Sequence, residues 1–215
     1  MKKALLLALA LAGSSPVALA QDVQAGQKKA AMCIGCHGIP GYQASFPEVH
    51  KVPMIAGQNA KYLAAALNAY KKGERKHPTM RGIAGSLTDA DIADLSAFYE
   101  QQGASALKTV AATTAPQPRP EVAALLAKGA CASCHGADYN KAIDPSYPKL
   151  AGQHADYLFV ALKSYKVEGK ATVGRGNAIM AGQVKNFTAA ELKAIAQYLG
   201  SLPGDLRTVA DPRFR

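Results

Sequence analysis

Apolar and polar positions recur with a helical period in three stretches of the chain, and each stretch has a second copy further along. Tyr62, Leu67 and Tyr70, for example, fall near one face. The paired helices are predicted at about 23–36 and 121–134, at 60–72 and 156–166, and after capping boxes at 88–91 and 188–191. Gly103 and Gly200 are expected to end the last pair. Alternating runs rich in Val, Ile and Thr are scarce, so no strand is predicted and the fold class is all-α.

The second half of the chain repeats the first in units of roughly ninety residues. Pro53–Gln58 reads PMIAGQ and Pro148–Gln153 reads PKLAGQ, and a Tyr-Leu pair and a Tyr-Lys pair follow each segment. Between the copies, residues 103–120 are rich in Ala, Thr and Pro without a helical or strand period, which is typical of an extended linker. Two domains are therefore expected, at 21–102 and 121–215.

Residues 1–20 have the pattern of a signal peptide. Lys2 and Lys3 precede a short apolar run at 4–12, and Ala18-Leu19-Ala20 resembles a cleavage site. Export to the periplasm with cleavage after Ala20 is expected, and an uncleaved anchor is the alternative. Without Lys2 and Lys3 the chain keeps 23 basic and 15 acidic residues, a net charge of about +8. This balance favours an acidic protein or an anionic membrane surface as partner, and the periplasmic address argues against nucleic acid.

Two five-residue motifs contain all the cysteines of the chain. CIGCH at 33–37 and CASCH at 131–135 both read C-x-x-C-H, the pattern of covalent c-type haem attachment. A redox-active dithiol would need a strand–helix context that is missing, and a zinc site would need four ligands close together. Two covalently bound c-type haems are therefore predicted. The expected attachment residues are Cys33, Cys36, Cys131 and Cys134, and the expected proximal iron ligands are His37 and His135.

The repeat also selects a sixth iron ligand for each haem. Met180 is the only methionine of the second unit, and it aligns with Met80. The two lie 43 and 45 residues after the proximal histidines, in predicted loops before the last helix of each unit. Met80 and Met180 are therefore the predicted axial ligands, which would raise the reduction potentials. Weaker alternatives, each without a counterpart in the other unit, are Met32, Met54, His50, His77 and His154.

The surroundings of the haems are predicted less specifically. The carbonyls of Pro53 and Pro148 are candidate acceptors for the second ring N–H of the proximal histidines. Candidates for holding the haem propionates are Tyr62, Tyr70, Arg75, Lys76, Tyr157, Tyr165 and Arg175. Helix packing and a solvated basic loop are the alternative roles of these side chains.

The tandem C-x-x-C-H motifs, the Pro-x-(Ile/Leu)-Ala-Gly-Gln segments, the Tyr-Leu and Tyr-Lys pairs and the distal methionines together resemble the dihaem cytochrome c4 family. The resemblance covers essentially the whole mature chain, and it implies two tandem class I cytochrome c domains related by a pseudo-twofold axis. It also implies a periplasmic carrier, often loosely associated with the inner membrane, that delivers electrons to a terminal oxidase. By position, one haem would be served by Cys33, Cys36, His37 and Met80, and the other by Cys131, Cys134, His135 and Met180.

The resulting hypothesis is a monomeric electron carrier and not an enzyme, since two methionine-closed irons leave no position for a substrate. The carrier would shuttle single electrons between respiratory complexes, with a cytochrome bc complex and a haem-copper oxidase as the expected partners. The alternative is the cytochrome subunit of a dehydrogenase complex, such as one resembling flavocytochrome sulfide dehydrogenases. A third hypothesis, a dihaem peroxidase or thiosulfate-oxidising cytochrome, requires an open iron.

Overall fold

The computed structural model describes residues 21–107 and 114–210, and the predicted signal peptide lies outside the described residues. Helices of the first unit are α1 Val23–Lys29, α2 Ala31–His37, α3 Ala60–Lys72, α4 Pro78–Gly85 and α5 Asp89–Leu107. Helices of the second unit are α6 Pro120–Lys128, α7 Ala132–His135, α8 Ala155–Ser164, α9 Ala178–Val184 and α10 Ala189–Ser201. Two antiparallel pairs of short strands are β1 Gln43–Ala44 with β2 His50–Lys51, and β3 Arg75–Lys76 with β4 Gly174–Arg175. The second pair joins the two units.

The first helix predicted for each unit is in fact two helices. α1 and α2 are separated at Ala30, and α6 and α7 by the residues from Gly129 to Cys131. Ala130 adopts a left-handed φ of 45°, which a right-handed helix cannot continue. The prediction of one continuous helix was wrong because the break is too short to interrupt the apolar period. Separate short helices, α2 and α7, therefore carry the C-x-x-C-H motifs.

The other helix predictions hold where the helix is long or begins with a clear capping box. α3 has the predicted bounds, and the capping boxes are confirmed, with Asp91 N donating to Thr88 Oγ1 at 3.1 Å and Glu191 N to Thr188 Oγ1 at 3.2 Å. The helices α4 and α9 and the strands are absent from the prediction. Segments of eight residues or fewer are too short to show a reliable period.

Gly103 and Gly200 lie inside α5 and α10 and do not end them, so the prediction of helix stops was wrong. A Cβ at Gly103 would lie 2.0 Å from the backbone nitrogen of Gly57. A Cβ at Gly200 would lie 2.8 Å from the carbonyl oxygen of Gln153. In both units the glycine therefore allows the Ala-Gly-Gln segment to approach the last helix closely.

Each unit has its own apolar core, and the two buried clusters share no residue. In the first unit α1 and α3 pack against α5, and Ile92 and Leu95 are almost fully buried. In the second unit α6 and α8 pack against α10, which buries Leu192 and Leu199. Among the described helices, none combines the length and the hydrophobicity needed to cross a bilayer.

Two segments near the ends of the units have features that the sequence did not predict. α5 continues to Leu107, past the residue at which the linker was expected to begin, and residues 108–113 of that linker lie outside the described residues. After α10 the chain returns to the first unit, where Arg207 N donates to the carbonyl of Ala56 at 3.0 Å and Val209 packs against the core. No periodic pattern marks this segment, so the sequence did not predict the return.

The crossing of α1 and α5 predicts a specific effect of a small substitution. A Cβ at Gly26 would lie 2.2 Å from the carbonyl oxygen of Asp94, so Gly26→Ala must push the two helices apart. The free energy of unfolding is expected to fall by about 1–3 kcal/mol, measured by chemical denaturation of the haem-loaded protein. Gly85→Ala is the control, because a Cβ there meets nothing within 4 Å. Equal stability of the two variants would contradict the prediction.

Candidate haem site

One cavity of about 610 Å³ extends through both units and collects the predicted haem residues on its walls. All eight line it: Cys33, Cys36, His37, Met80, Cys131, Cys134, His135 and Met180. The alternatives Met32, Met54, His50 and His77 also line this cavity. Residues far apart in the sequence are thus brought together in two equivalent sets that face a shared space.

The cysteines suit attachment better than thiol redox chemistry. Cys33 and Cys36 lie in α2, which ends at His37. Cys134 lies in α7, which ends at His135, and Cys131 directly precedes that helix. Burial raises the pKa of Cys33 and of Cys131, although Tyr99 opposes the shift at Cys33. A redox-active dithiol needs a lowered pKa in its attacking thiol, so the environment argues against that alternative.

The histidines predicted as proximal ligands are oriented by proline carbonyls, which confirms the predicted acceptors. The Nδ1 atom of His37 lies 2.8 Å from the carbonyl oxygen of Pro53, and that of His135 lies 3.1 Å from the carbonyl oxygen of Pro148. A carbonyl can only accept, so Nδ1 carries the proton and Nε2 keeps its lone pair for iron. Burial lowers the pKa of both histidines, which favours the neutral form that binds a metal.

The sequence predicts that Met80 and Met180 lie in loops. They lie instead in the first turns of α4 and α9. Met80 N donates to Nδ1 of His77 at 3.4 Å, and Met180 N donates to Oδ1 of Asn177 at 2.9 Å. These side chains cap the two helices three residues before the methionine. The equal spacing of His77 and Asn177 was the sequence signal for this role, hidden because the residue types differ.

The other alternative ligands have structural roles in the described residues. Nδ1 of His50 bonds the carbonyl of Glu48 at 2.8 Å, and His154 occupies the N-cap position of α8. Met32 is half exposed on α2. The backbone of Met54 contacts the second unit through Gln153. None of these four residue types is kept at the equivalent position of the other unit.

Arg75 and Arg175 face each other in the β3–β4 pair and share the hydroxyl of Tyr157. Arg75 donates to Tyr157 at 2.6 Å and to the hydroxyl of Tyr62 at 3.1 Å, while Arg175 donates to Tyr157 at 3.1 Å. Arg75 also lies over the ring of Tyr70, and Arg175 over that of Tyr165. Burial raises the pKa of Tyr157, but the two guanidinium groups outweigh it and lower the pKa to about 8.

This cluster fits a haem carboxylate. The Nε atom of Arg75 is buried without a hydrogen-bond partner among the described residues, and both arginines line the cavity. A buried donor left unpaired is costly, so an acceptor entering from the cavity would satisfy it. The amine of Lys76 instead donates to the carbonyl of Lys170. Among the predicted propionate candidates, Arg75, Arg175 and Tyr157 therefore form the centre of this cluster.

Two helical units with duplicated C-x-x-C-H motifs, oriented histidines and a shared cavity define a dihaem c-type cytochrome. The sequence matches the family model described as Cytochrome c over residues 23–102 and 121–203, one match in each unit. It is 31% identical to cytochrome c4 of Azotobacter vinelandii over 220 residues, which are 94% of this chain and 100% of the relative. The chain belongs to the cytochrome c4 family and has two covalently bound c-type haems.

Two further similarities concern the fold and a related function. The crystal structure of reduced recombinant cytochrome c4 from Pseudomonas stutzeri superposes with a TM-score of 0.62 at 27% identity, covering 86% of this chain and 100% of that one. A protein of Thiomonas intermedia named thiosulfate dehydrogenase electron acceptor is 30% identical, covering 92% of this chain and 90% of the relative. The protein is thus an electron-transfer cytochrome with two tandem domains.

The shared tyrosine predicts a loss of stability when its hydroxyl is removed. Tyr157→Phe leaves two buried guanidinium groups without a common acceptor, so the free energy of unfolding should fall by about 1–3 kcal/mol. Tyr165→Phe is the matched control, because its ring contacts Arg175 whereas its hydroxyl bonds neither arginine among the described contacts. Chemical denaturation of both haem-loaded variants measures the free energy of unfolding. An equal loss of stability in the two variants would contradict the role of the Tyr157 hydroxyl as the shared acceptor.

Proposed function

We propose that the protein carries single electrons between respiratory complexes in the periplasm and delivers them to a terminal oxidase. The observation that carries the proposal is the matched pair of methionines, each at the capped start of a short helix on the cavity that also holds the oriented histidines. When bound as His/Met-ligated groups, the haems supply a one-electron iron couple with a raised potential. The chain holds the ligands, excludes water and sets that potential.

The axial assignment follows from what each side chain is free to do. His37 and His135 have Nδ1 committed to a carbonyl, so Nε2 is the atom left to bind iron. The helix caps fix the backbone of Met80 and of Met180, so the thioether is the part of each residue that can extend toward iron. Two filled axial positions leave none for a substrate. The protein is therefore proposed to be a carrier and not an enzyme.

Removal of one methionine at a time tests the axial assignment. Met80→Ala and Met180→Ala should each remove about half of the sulfur–iron charge-transfer absorption of the oxidised protein and lower the potential of one haem. Met54→Leu is the control, since Met54 lines the same cavity but has no counterpart in the second unit. Absorption spectroscopy and potentiometric titration measure both effects. An unchanged band in Met80→Ala would refute the assignment for the first haem.

The charge of the chain supports an acidic docking partner. After the expected cleavage the chain keeps 23 basic and 15 acidic residues, a net charge of about +8, which attracts an acidic surface over distances that salt shortens. Oxidation of the reduced monomer by membranes that contain a haem-copper oxidase should slow by about tenfold or more between roughly 0.01 M and 1 M salt. Stopped-flow spectroscopy measures the rate. A rate independent of salt would exclude electrostatic docking.

A second candidate function has support from one comparison. The similarity to a thiosulfate dehydrogenase electron acceptor favours a role as the cytochrome partner of a dehydrogenase. In that case the oxidised protein should be reduced by a thiosulfate dehydrogenase with thiosulfate, and it should co-purify with the enzyme. Rapid oxidation by membranes without such a partner would favour the carrier between respiratory complexes.

A further inference from the structure

A single peptide group links the first proximal histidine to the second domain. The carbonyl oxygen of Pro53 accepts from His37 Nδ1 at 2.8 Å. The N–H of that same peptide belongs to Met54 and donates to Oε1 of Gln153 at 3.0 Å. Gln153 also donates its Nε2 to the carbonyl of Met54 at 2.8 Å. The acceptor of the first proximal histidine is therefore held by a glutamine of the other unit.

The reverse arrangement exists at the second histidine. The carbonyl oxygen of Pro148 accepts from His135 Nδ1 at 3.1 Å, and the N–H of the same peptide, on Lys149, donates to Oε1 of Gln58 at 2.9 Å. Nε2 of Gln58 donates to the carbonyl of Lys149 at 3.0 Å. Each glutamine is the last residue of the repeated Pro-x-(Ile/Leu)-Ala-Gly-Gln segment, and the two contacts are crossed.

Both glutamines are fixed in place. Gln58 is 3% exposed and Gln153 is 4% exposed. Each Oε1 also accepts a backbone N–H at the start of a helix in its own unit, from Asn59 at 3.0 Å and from His154 at 3.0 Å. A buried amide with all these contacts cannot turn without leaving donors and acceptors unpaired. The glutamine oxygen is therefore a rigid acceptor for the peptide of the other unit.

Hydrogen bonds in series polarise one another. A peptide whose N–H donates to Gln153 has a more negative carbonyl oxygen, which strengthens the bond that this oxygen accepts from His37. A stronger bond at Nδ1 makes the imidazole a better electron donor to iron and favours the oxidised state. The same reasoning applies to Gln58, the Pro148–Lys149 peptide and His135.

We propose that Gln58 and Gln153 are positioning residues that set the reduction potential of the haem in the opposite domain. Gln153 acts through the Pro53–Met54 peptide on His37, and Gln58 acts through the Pro148–Lys149 peptide on His135. The inference rests on the axial assignment proposed above. It makes the docking of the two units part of the electronic environment of each iron.

Simple adhesion between the units is the competing explanation. Asn59 is adjacent to Gln58 and also bonds the second unit, donating its Nδ2 to the carbonyl of Tyr147 at 2.9 Å. It does not contact the Pro148–Lys149 peptide, which is the acceptor of His135. Asn59→Ala is therefore a matched control for a loosened interface with the histidine peptide intact.

The experiment uses the full-length dihaem protein. Gln153→Met and Gln58→Met keep the length of the side chain and remove its amide. NMR signals of the Met80 and Met180 methyl groups report the redox state of each haem separately during a titration. At a fixed applied potential, Gln153→Met should lower the oxidised-to-reduced ratio of the first haem by about threefold and leave the second unchanged. Gln58→Met should do the reverse, and Asn59→Ala should produce no such selective shift.

A second readout and a second variant keep the inference open to refutation. The Nδ1–H resonance of His37 should move upfield in Gln153→Met, as expected for a weaker hydrogen bond. Gln153→Asn, which withdraws the amide by one methylene, should shift the same haem in the same direction and decides the matter if the methionine variant loses haem. Equal shifts at both haems, or no shift, would overturn the inference. Failure of the axial assignment is distinct, because the methyl signals would then be missing from the wild-type protein.

Discussion

The hydrogen bond from the histidine of each C-x-x-C-H motif to a proline carbonyl is the contact on which the rest of the structure depends. It ties the C-x-x-C-H helix to a segment that has little regular structure of its own. That segment is anchored in turn to the last helix of its unit, where Gly57 N donates to the carbonyl of Tyr99 at 2.8 Å and Gly152 N to that of Leu199 at 3.0 Å. Helix packing therefore fixes the imidazole through two backbone contacts, and proline adds a restricted φ.

The interface between the units obeys a second constraint, because it places two guanidinium groups side by side. Like charges directly across a strand pair repel, so Arg75 and Arg175 need compensation. Tyrosine hydroxyls and ring faces supply part of it, and haem carboxylates are well suited to supply the rest. A covalently bound haem stays on the unfolded chain, but contacts between its carboxylates and the arginines of both units would form only in the folded state. Haem attachment and docking of the domains should therefore support each other.

Repetition made the fold predictable and selected candidate iron ligands, because a residue type kept at equal spacing in two copies stands out from its neighbours. It failed where the copies share a role but not a residue type, as with His77 and Asn177, and it gave no sign of the return of Arg207 to the first unit. The helices α4 and α9 were missed since short capped segments lack a period. The roles of Gln58 and Gln153 were invisible for another reason: their partners are backbone groups of the other copy, which no side-chain pattern encodes.

Differences between the two units explain why their haems need not have equal reduction potentials. Contacts that hold each imidazole are kept, whereas groups near each methionine differ. The first methionine helix is capped by an imidazole whose pKa burial lowers, and the second by a neutral amide. The segment after α10 pairs with Ala56, three residues beyond the first histidine's acceptor. Duplication thus supplied two similar candidate iron sites, and the different caps of their methionine helices give each one a distinct environment.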